Sequence, residues 1–283
     1  MSNDIVINII KDTNKKLYDP VNRPLSVSKC LELIKEEFNQ LEVAQNTYKK
    51  NFDNPDSIYY QKTVDQIIGM WEAKAATSRF YGSSLDDYIG MVLTEDKKLP
   101  LWKLDHNFND DKRLNGICTG FDQYIKVLTE KTNYRYMARE MTMYIKSNSG
   151  NMIRGRFDCL FYDPVNERYL IIDWKNTEKI NDKNNYRKRM FGPCYHLDDC
   201  NLNEYTLQTH FYKKALCETY KLTTYDKVDC YICQMLPEAM QNGQHFLLHK
   251  QNFAFDTEFL DKVIDYCTLK NIEQQKLVNG KES

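Results

Sequence analysis

Apolar residues recur at two different periods along the chain, and the change near residue 130 divides it into a helical front and a strand-rich second half. Residues 1–20 read as polar and irregular, and Tyr18-Asp19-Pro20 followed by Arg23-Pro24 predicts an extended lead-in. From Ser26 the spacing is helical: Ser26 or Ser28 can cap a segment in which Leu31, Ile34, Phe38 and Leu41 recur at three- and four-residue intervals. A second helical tract is predicted over about Ser57–Leu93 on the stripe Val64, Ile67, Ile68, Trp71, Ala75 and Ala76. Gly82 is expected to break it, with Ser83 or Ser84 capping a new helix through Leu85, Tyr88, Ile89 and Val92. Residues 96–115 are charged without pattern and read as a loop, and Gly120–Lys131 reads as a helix.

Beyond that the period falls to two. Tyr134–Lys146, Asn151–Tyr162 and Glu167–Lys175 are rich in aromatic and branched residues, joined by Ser147-Asn148-Ser149-Gly150 and Asp163-Pro164-Val165-Asn166. Such short turn-forming joints predict an antiparallel meander. A helix at about Tyr205–Tyr220, strand-like runs at Val228–Met235 and His245–Ala254, and a closing helix at about Thr257–Lys276 complete the pattern. The expected fold is α/β of the α+β type, with a central mixed, largely antiparallel sheet, flanking helices and an N-terminal helical cap. Short linkers favour one domain over residues 1–283, with 1–130 as its helical region and 131–283 as the sheet and C-terminal helices.

The 39 Lys+Arg against 40 Asp+Glu exclude a chain coated in basic residues, but not a nucleic-acid enzyme whose positive surface is confined to one groove. No apolar run approaches the roughly 18–20 residues that span a bilayer, and Met1–Ile10 lacks the basic start of an export signal, so a cytoplasmic location without membrane association is the expectation. Nine cysteines spread from Cys30 to Cys267 read as reduced, mostly buried thiols.

The densest chemistry lies in Tyr169-Leu170-Ile171-Ile172-Asp173-Trp174-Lys175. Residues two apart share a strand face, so Asp173 and Lys175 project together while Trp174 points the other way. The same acidic-x-Lys spacing at Glu72-Ala73-Lys74, Glu95-Asp96-Lys97, Asp96-Lys97-Lys98 and Asp110-Asp111-Lys112 is explained by solvated helix or loop. The Asp173 copy differs in its setting. The preceding strand carries Gly155-Arg156-Phe157-Asp158, so Asp158 and Asp173 could converge across a hairpin, and Glu140 begins or interrupts the strand before that. Carboxylates gathered this way repel unless a cation sits among them, and hard oxygen donors favour Mg or Mn, as one or two ions. The residues alone are also open to a plainer reading, in which exposed acids at strand ends pair with Arg156 and Lys175.

The order Glu140, Gly155-x-x-Asp158, Asp173-x-Lys175 and Gln208-x-x-x-Tyr212 resembles the PD-(D/E)xK nuclease superfamily, and within it the RecB-like and lambda-exonuclease-like branch common in phages and large DNA viruses. Gly69-Met70-Trp71-Glu72-Ala73-Lys74 leading to Tyr81-Gly82-Ser83-Ser84-Leu85-Asp86 is similar to the helical entry of that branch. Leu197-Asp198-Asp199-Cys200-Asn201 with Tyr205-Thr206-Leu207-Gln208 is similar to its approach to the glutamine helix, so the matches span roughly residues 25–220. The resemblance implies metal binding by Asp158 and Asp173, with Glu140 and Asp86 as further ligands. It also implies that Lys175 orients the attacking water or stabilises the transition state, and that Gln208 and Tyr212 contact DNA or steady the site. Asp86 stands where the branch usually has His, and Gly90 where it often has Glu, which puts metal affinity and preference in question.

Between Lys175 and Met190, the cations Lys175, Lys179, Lys183, Arg187, Lys188 and Arg189 outnumber Glu178 and Asp182 by four. A solvated loop explains such a run. Beside an acidic site it can also grip a phosphate backbone, and Tyr186, Phe191 and Tyr195 could stack on unpaired bases or cap the core. Cys230-x-x-Cys233 followed by His245-x-x-x-His249 approaches a zinc-finger spacing, but Gln241-Asn242-Gly243-Gln244 is a turn signal where a finger needs a helix, so a plain hairpin is expected and zinc is not.

The leading expectation is a metal-dependent nuclease that hydrolyses DNA phosphodiester bonds, an exonuclease in recombination, repair or genome processing, acting in the host cytoplasm for a viral member. Its partner would be single- or double-stranded DNA, with a homo-oligomer or a recombination or replication protein as further associations. The alternatives are a catalytically weakened nucleic-acid-binding or assembly protein on the same fold, and an RNA-cutting relative.

Overall fold

The structure, a computed structural model, describes residues 2–20, 23–94, 111–249 and 255–279. In chain order its elements are α1 (Asn3–Leu17), β1 (Leu25–Ser26), α2 (Val27–Leu33), α3 (Gln40–Asn51), α4 (Val64–Thr94), α5 (Lys112–Lys131), β2 (Arg135–Lys146), β3 (Met152–Asp163), β4 (Arg168–Lys175), α6 (Asn201–Lys214), β5 (Val228–Met235), β6 (Phe246–His249) and α7 (Thr257–Asn279). The six strands form one mixed sheet in the order β1-β3-β4-β5-β6, with β2 also pairing with β3. The β2–β3–β4 meander is antiparallel, β4 and β5 are parallel, and β6 returns antiparallel to β5. A parallel pair needs a crossover, and α6 supplies it.

Helices cover both faces. On one, α1, α2, α6 and α7 bury a large core with Ile145, Phe157, Leu160, Ile171, Phe211 and Ile264. On the other, the second half of α4 and all of α5 pack through Leu85, Ile89, Ile117 and Phe121 onto Phe161, Ile172 and Trp174. Trp174 meets Phe121 and Tyr124 edge-on at centroid distances of 5.3 and 5.5 Å, contacts worth about 0.5–1.5 kcal/mol each beyond burial. The N-terminal helices are therefore divided between the two faces. The nine cysteines are free thiols, buried except for the half-buried Cys217 and Cys230.

Three helical expectations are corrected. Residues 3–17 form α1 in place of an extended lead-in: only Val6 and Ile10 are fully buried, but the Asn3 and Asn14 side chains donate to the Tyr136 and Thr142 carbonyls of β2. The stripe from Leu31 to Leu41 is not one helix. Ser26 caps α2 as expected, but the helix stops at Leu33, Asn39 caps a new one, and Phe38 and Leu41 are exposed. Gly82 does not break α4, which runs unbroken for 31 residues; its first half buries Ile67 but carries Ala75 and Ala76 in solvent, and its second half packs onto the sheet through Leu85 and Ile89. The loop expected at 96–115 falls largely outside the described residues, and α5 begins at Lys112 behind an Asp111 cap. The tail of the run expected at His245–Ala254 also lies outside them, with β6 covering Phe246–His249. Among the described residues no helix is long and apolar enough to cross a membrane.

Candidate active site

The site lies where the sheet splits. β4 pairs with β3 only as far as Ile172 opposite Cys159, then continues beside β5 to Lys175 opposite Gln234. β1 pairs with the same edge of β3 at Ile153 and Arg154. Among the described residues, positions 155–158 of that edge have no strand beside them. Their backbone and side chains are satisfied from elsewhere: the Trp174 N–H donates to Asp158 Oδ2 at 2.8 Å, and the Tyr212 hydroxyl of α6 donates to the Arg156 carbonyl at 2.9 Å. Gly155 makes the second contact possible, because a Cβ there would lie 2.4 Å from Tyr212 Cε1 and 2.8 Å from Val27 Cγ2.

On the far side of β3 the meander changes phase. Met141, Met143, Ile145, Ile153 and Phe157 face the same core as Ala138, Leu160 and Tyr162, so the in–out alternation slips by one residue on both strands between these sets. The slip coincides with Glu140, whose φ of 51° is left-handed for a non-glycine residue and costs on the order of 1–3 kcal/mol. Glu140 thus interrupts β2 from within, and its carboxylate pairs with Arg156 Nε at 2.9 Å.

These features open a cleft of about 430 Å³ lined by Asp86, Glu140, Arg156, Asp158, Gln208 and Tyr212 among others. Asp86 comes from the buried half of α4, Glu140 from β2, Asp158 from β3, and Gln208 and Tyr212 from one face of α6, where Gln208 Nε2 and the Tyr212 oxygen are 3.4 Å apart. Asp173 and Lys175 flank the cleft on β4, sharing a face as the alternation predicts. Lys175 Nζ is 2.7 Å from Asp173 Oδ2 and 4.4 Å from the centre of the Tyr205 ring. The Glu72–Lys74 copy of the motif sits on the exposed half of α4, where Lys74 pairs with Glu178 of the basic loop at 3.4 Å.

Burial dominates the electrostatics. It pushes the Asp158 carboxyl up to about 8, with the Asp173 carboxylate adding to the rise and Lys175 opposing it. Burial likewise raises Asp173 against the pull of Lys175. Asp86 rises to about 6 through burial and the Glu140 carboxylate, against Arg139 and Arg156. For Lys175 burial works against the charge, but Asp173 and Asp158 outweigh it and hold the ammonium above its ordinary range. Asp173 Oδ2 is buried and, apart from this ion pair, no well-formed hydrogen bond reaches it. Hard carboxylate oxygens that lift one another's proton affinity are the donor set a divalent cation such as Mg or Mn would relieve, so the chemistry of these side chains fits the expected ion. Among the described residues no three carboxylate, imidazole or thiol groups are gathered closely enough to enclose one.

Of the basic residues after β4, Lys179, Lys183, Arg187, Lys188 and Arg189 are all exposed. Lys188 is tied to Glu36, and Arg189 to Asp198 at 2.8 Å and to the His196 carbonyl at 2.9 Å. Tyr186, Phe191 and Tyr195 are exposed, with Lys270 Nζ 5.0 Å from the Phe191 ring centre. Cys230 and Cys233 lie on opposite faces of β5, and the histidines are engaged elsewhere, His245 Nδ1 with the Leu236 carbonyl and His249 Nε2 with Gln234 Oε1.

Sequence reasoning missed Arg139 and Tyr205. Tyr205 precedes Gln208 by three residues, a spacing that places both on one helical face and could have marked it. Nothing local marks Arg139, whose Nη2 donates to the Asp86 carbonyl at 2.8 Å from a strand 53 residues away in sequence.

Comparison with known proteins adds no relative: no protein-family model matches the chain, and no curated protein matches it significantly.

Proposed function

We propose that the protein is a metal-dependent nuclease acting on DNA, with its reaction centre at the split between β3 and β4. The observation that carries this reading is the convergence of half-buried Asp158 on buried Asp173, whose carboxylate repels it, with Lys175 beside them at the mouth of a cleft. Asp158 and Asp173 would hold a Mg or Mn ion, with Asp86 and Glu140 on the opposite wall. Such an ion supplies Lewis-acid stabilisation of the phosphoryl oxygens and a more acidic water.

The chain's own groups carry the rest. Lys175 is kept protonated by two carboxylates and cannot serve as a base at neutral pH; it offers a fixed positive charge to developing negative charge on the phosphate. Tyr205 covers its other side and limits its motion. Gln208 offers a neutral amide to the cleft, suited to a phosphate or sugar oxygen, while Tyr212 holds the unpaired edge of β3 in place. Lys179, Lys183 and Arg187 provide exposed charge for the backbone of a longer strand.

The test is incubation with end-labelled single- and double-stranded DNA in Mg, Mn or chelator, with RNA in parallel. Metal-dependent cleavage that disappears in Asp173→Ala and Lys175→Ala supports the reading; cleavage absent, or unchanged in those variants, overturns it. A second reading is favoured by one observation: at Gly90, where the resembled pattern often has an acid, the neighbouring space holds the Arg139 guanidinium. A protein weakened in this way would bind nucleic acid without cutting it, and a gel shift without cleavage would identify it.

A further inference from the structure

A second cavity, of about 300 Å³, lies between the end of α2, the loop after β4 and the start of α6. Tyr205 links it to the reaction centre. Its ring lies over Lys175, and Asn201, one helical turn earlier on α6, lines the cavity and turns its amide towards the tyrosine hydroxyl. Asn181 lines the cavity beside it, donating from Nδ2 to Asn201 Oδ1 at 3.3 Å, while the Asn181 carbonyl accepts from the Leu202 N–H at 3.1 Å. At the rim stands Tyr186, whose exposure of 85% leaves the ring almost without packing in the fold. The turn that carries it is nonetheless fixed. Asn184 Oδ1 accepts from the Tyr186 and Lys188 N–H groups at 2.8 and 3.3 Å, its Nδ2 donates to the Asp199 carbonyl at 2.7 Å, and Arg187 takes a left-handed φ of 56°. A tied and strained turn thus holds an aromatic ring in water, at a cost that burial of the ring would recover.

Resting on the nuclease reading, we propose that this cavity is a nucleobase subsite: it takes one unpaired base of the strand whose phosphate lies at Lys175, with Tyr186 stacked on the base and the amides of Asn181, Asn185 and Asn201 facing its edge. An asparagine amide offers a donor and an acceptor together, as a base edge does, and an aromatic face stacks on any base. The charges of the lining speak against a phosphate as the occupant. Lys35 and Lys183 are balanced by Asp199 and Glu204, and Lys35 is already paired with Glu204 at 2.8 Å. A base inside a duplex has its faces stacked and its pairing edge engaged, so the cavity selects a single strand or a frayed duplex end. Tyr186 and the neighbouring amides are therefore specificity residues for the form of DNA that reaches the reaction centre.

The experiment is binding of the full-length protein to a short fluorescent DNA strand in chelator, so that nothing is cut, compared with the same strand made abasic and with a blunt hairpin duplex. Tyr186→Ala should weaken the base-bearing strand by about tenfold, the scale of one base–aromatic stack, and leave the abasic strand and the duplex unchanged. Tyr186→Phe should keep the wild-type affinity, and Asn185→Ala should cost about 2- to 10-fold on the base-bearing strand alone. Tyr186 and Asn185 are both exposed, so these variants should fold as the wild type does. Losses equal on all three ligands, no loss on the base-bearing strand in either alanine variant, or a loss in Tyr186→Phe as large as in Tyr186→Ala overturns the inference. Metal-dependent cleavage by the same protein then leaves the nuclease reading standing. Base-specific losses without cleavage keep the subsite and overturn the nuclease reading, and a wild type that neither binds nor cuts overturns both.

Discussion

The Trp174 N–H donates to the Asp158 carboxylate at 2.8 Å across the gap where β3 and β4 part. That one bond places two acidic residues, 15 positions apart in sequence, at the same point on the sheet: Asp158 as its acceptor and Asp173 as the donor's chain neighbour. It also sets the cost of the site, because Asp173 is held out of water and Asp158 is half-buried beside it.

That cost is measurable as a pH dependence. An unfolded Asp releases its proton near about 3.9, whereas folded Asp158 retains it up to about 8. Between those values the folded chain binds more protons than the unfolded one, so the contribution of Asp158 to stability falls as pH rises. Asp158→Asn should therefore raise the melting temperature in chelator, with a gain near zero at about pH 4 that grows to its maximum above about pH 8. Thermal scans of both proteins across this range check it, and a gain that is flat or shrinks with pH contradicts the burial argued for this residue.

Lys175 and Asp173 form a buried pair, and breaking it from one side strands the other charge. Lys175→Met should destabilise the fold by about 3–5 kcal/mol, while Lys175→Met combined with Asp173→Leu should recover most of the loss. Urea unfolding of the two single variants and the double variant measures the coupling. Additive losses would mean that the pair is solvated.

Gly155→Ala tests the open edge of β3. The added methyl must push the Tyr212 ring off the backbone, at a cost of about 1–3 kcal/mol for overpacking. Tyr212→Phe removes only the bond to the Arg156 carbonyl and should cost about 0.5–1.5 kcal/mol. Equal losses in denaturant unfolding would show that the ring is not held where the glycine allows it.

For the basic loop, the ion pairs divide the five cations into two groups. Lys183→Ala with Arg187→Ala should lower the slope of log affinity against log salt by about 2 for double-stranded DNA. Lys188→Ala and Arg189→Ala should change it less, since Glu36 and Asp198 already engage those charges. Fluorescence anisotropy across a salt series distinguishes the groups, and an equal change in both would remove the distinction.

What was legible in the sequence is what short-range periodicity controls. The meander, with its turns at 147–150 and 163–166, follows from two-residue alternation and turn chemistry. The shared face of Asp173 and Lys175, the β5 strand and the Ser26 cap follow from the same rules, and Asp86, Glu140, Asp158, Gln208 and Tyr212, named from the resemblance, line one cleft together with Val27, Thr142 and Arg154, which nothing in the sequence marked. What local pattern could not decide was set by packing. α1 is helical although its polar residues obscure the stripe, because two asparagines bond the carbonyls of β2 more than a hundred residues away. Gly82 stays inside α4, since an isolated glycine costs a helix only about 1 kcal/mol, and the second half of α4 is anchored on the core. Glu140 carries a left-handed φ, Trp174 reaches Asp158, and Arg139 fills the space beside Gly90. None of these has a signature within a few residues of its own position. Periodicity reports which face a side chain takes, whereas the distance and charge between two faces exist only once the elements that carry them have been brought together.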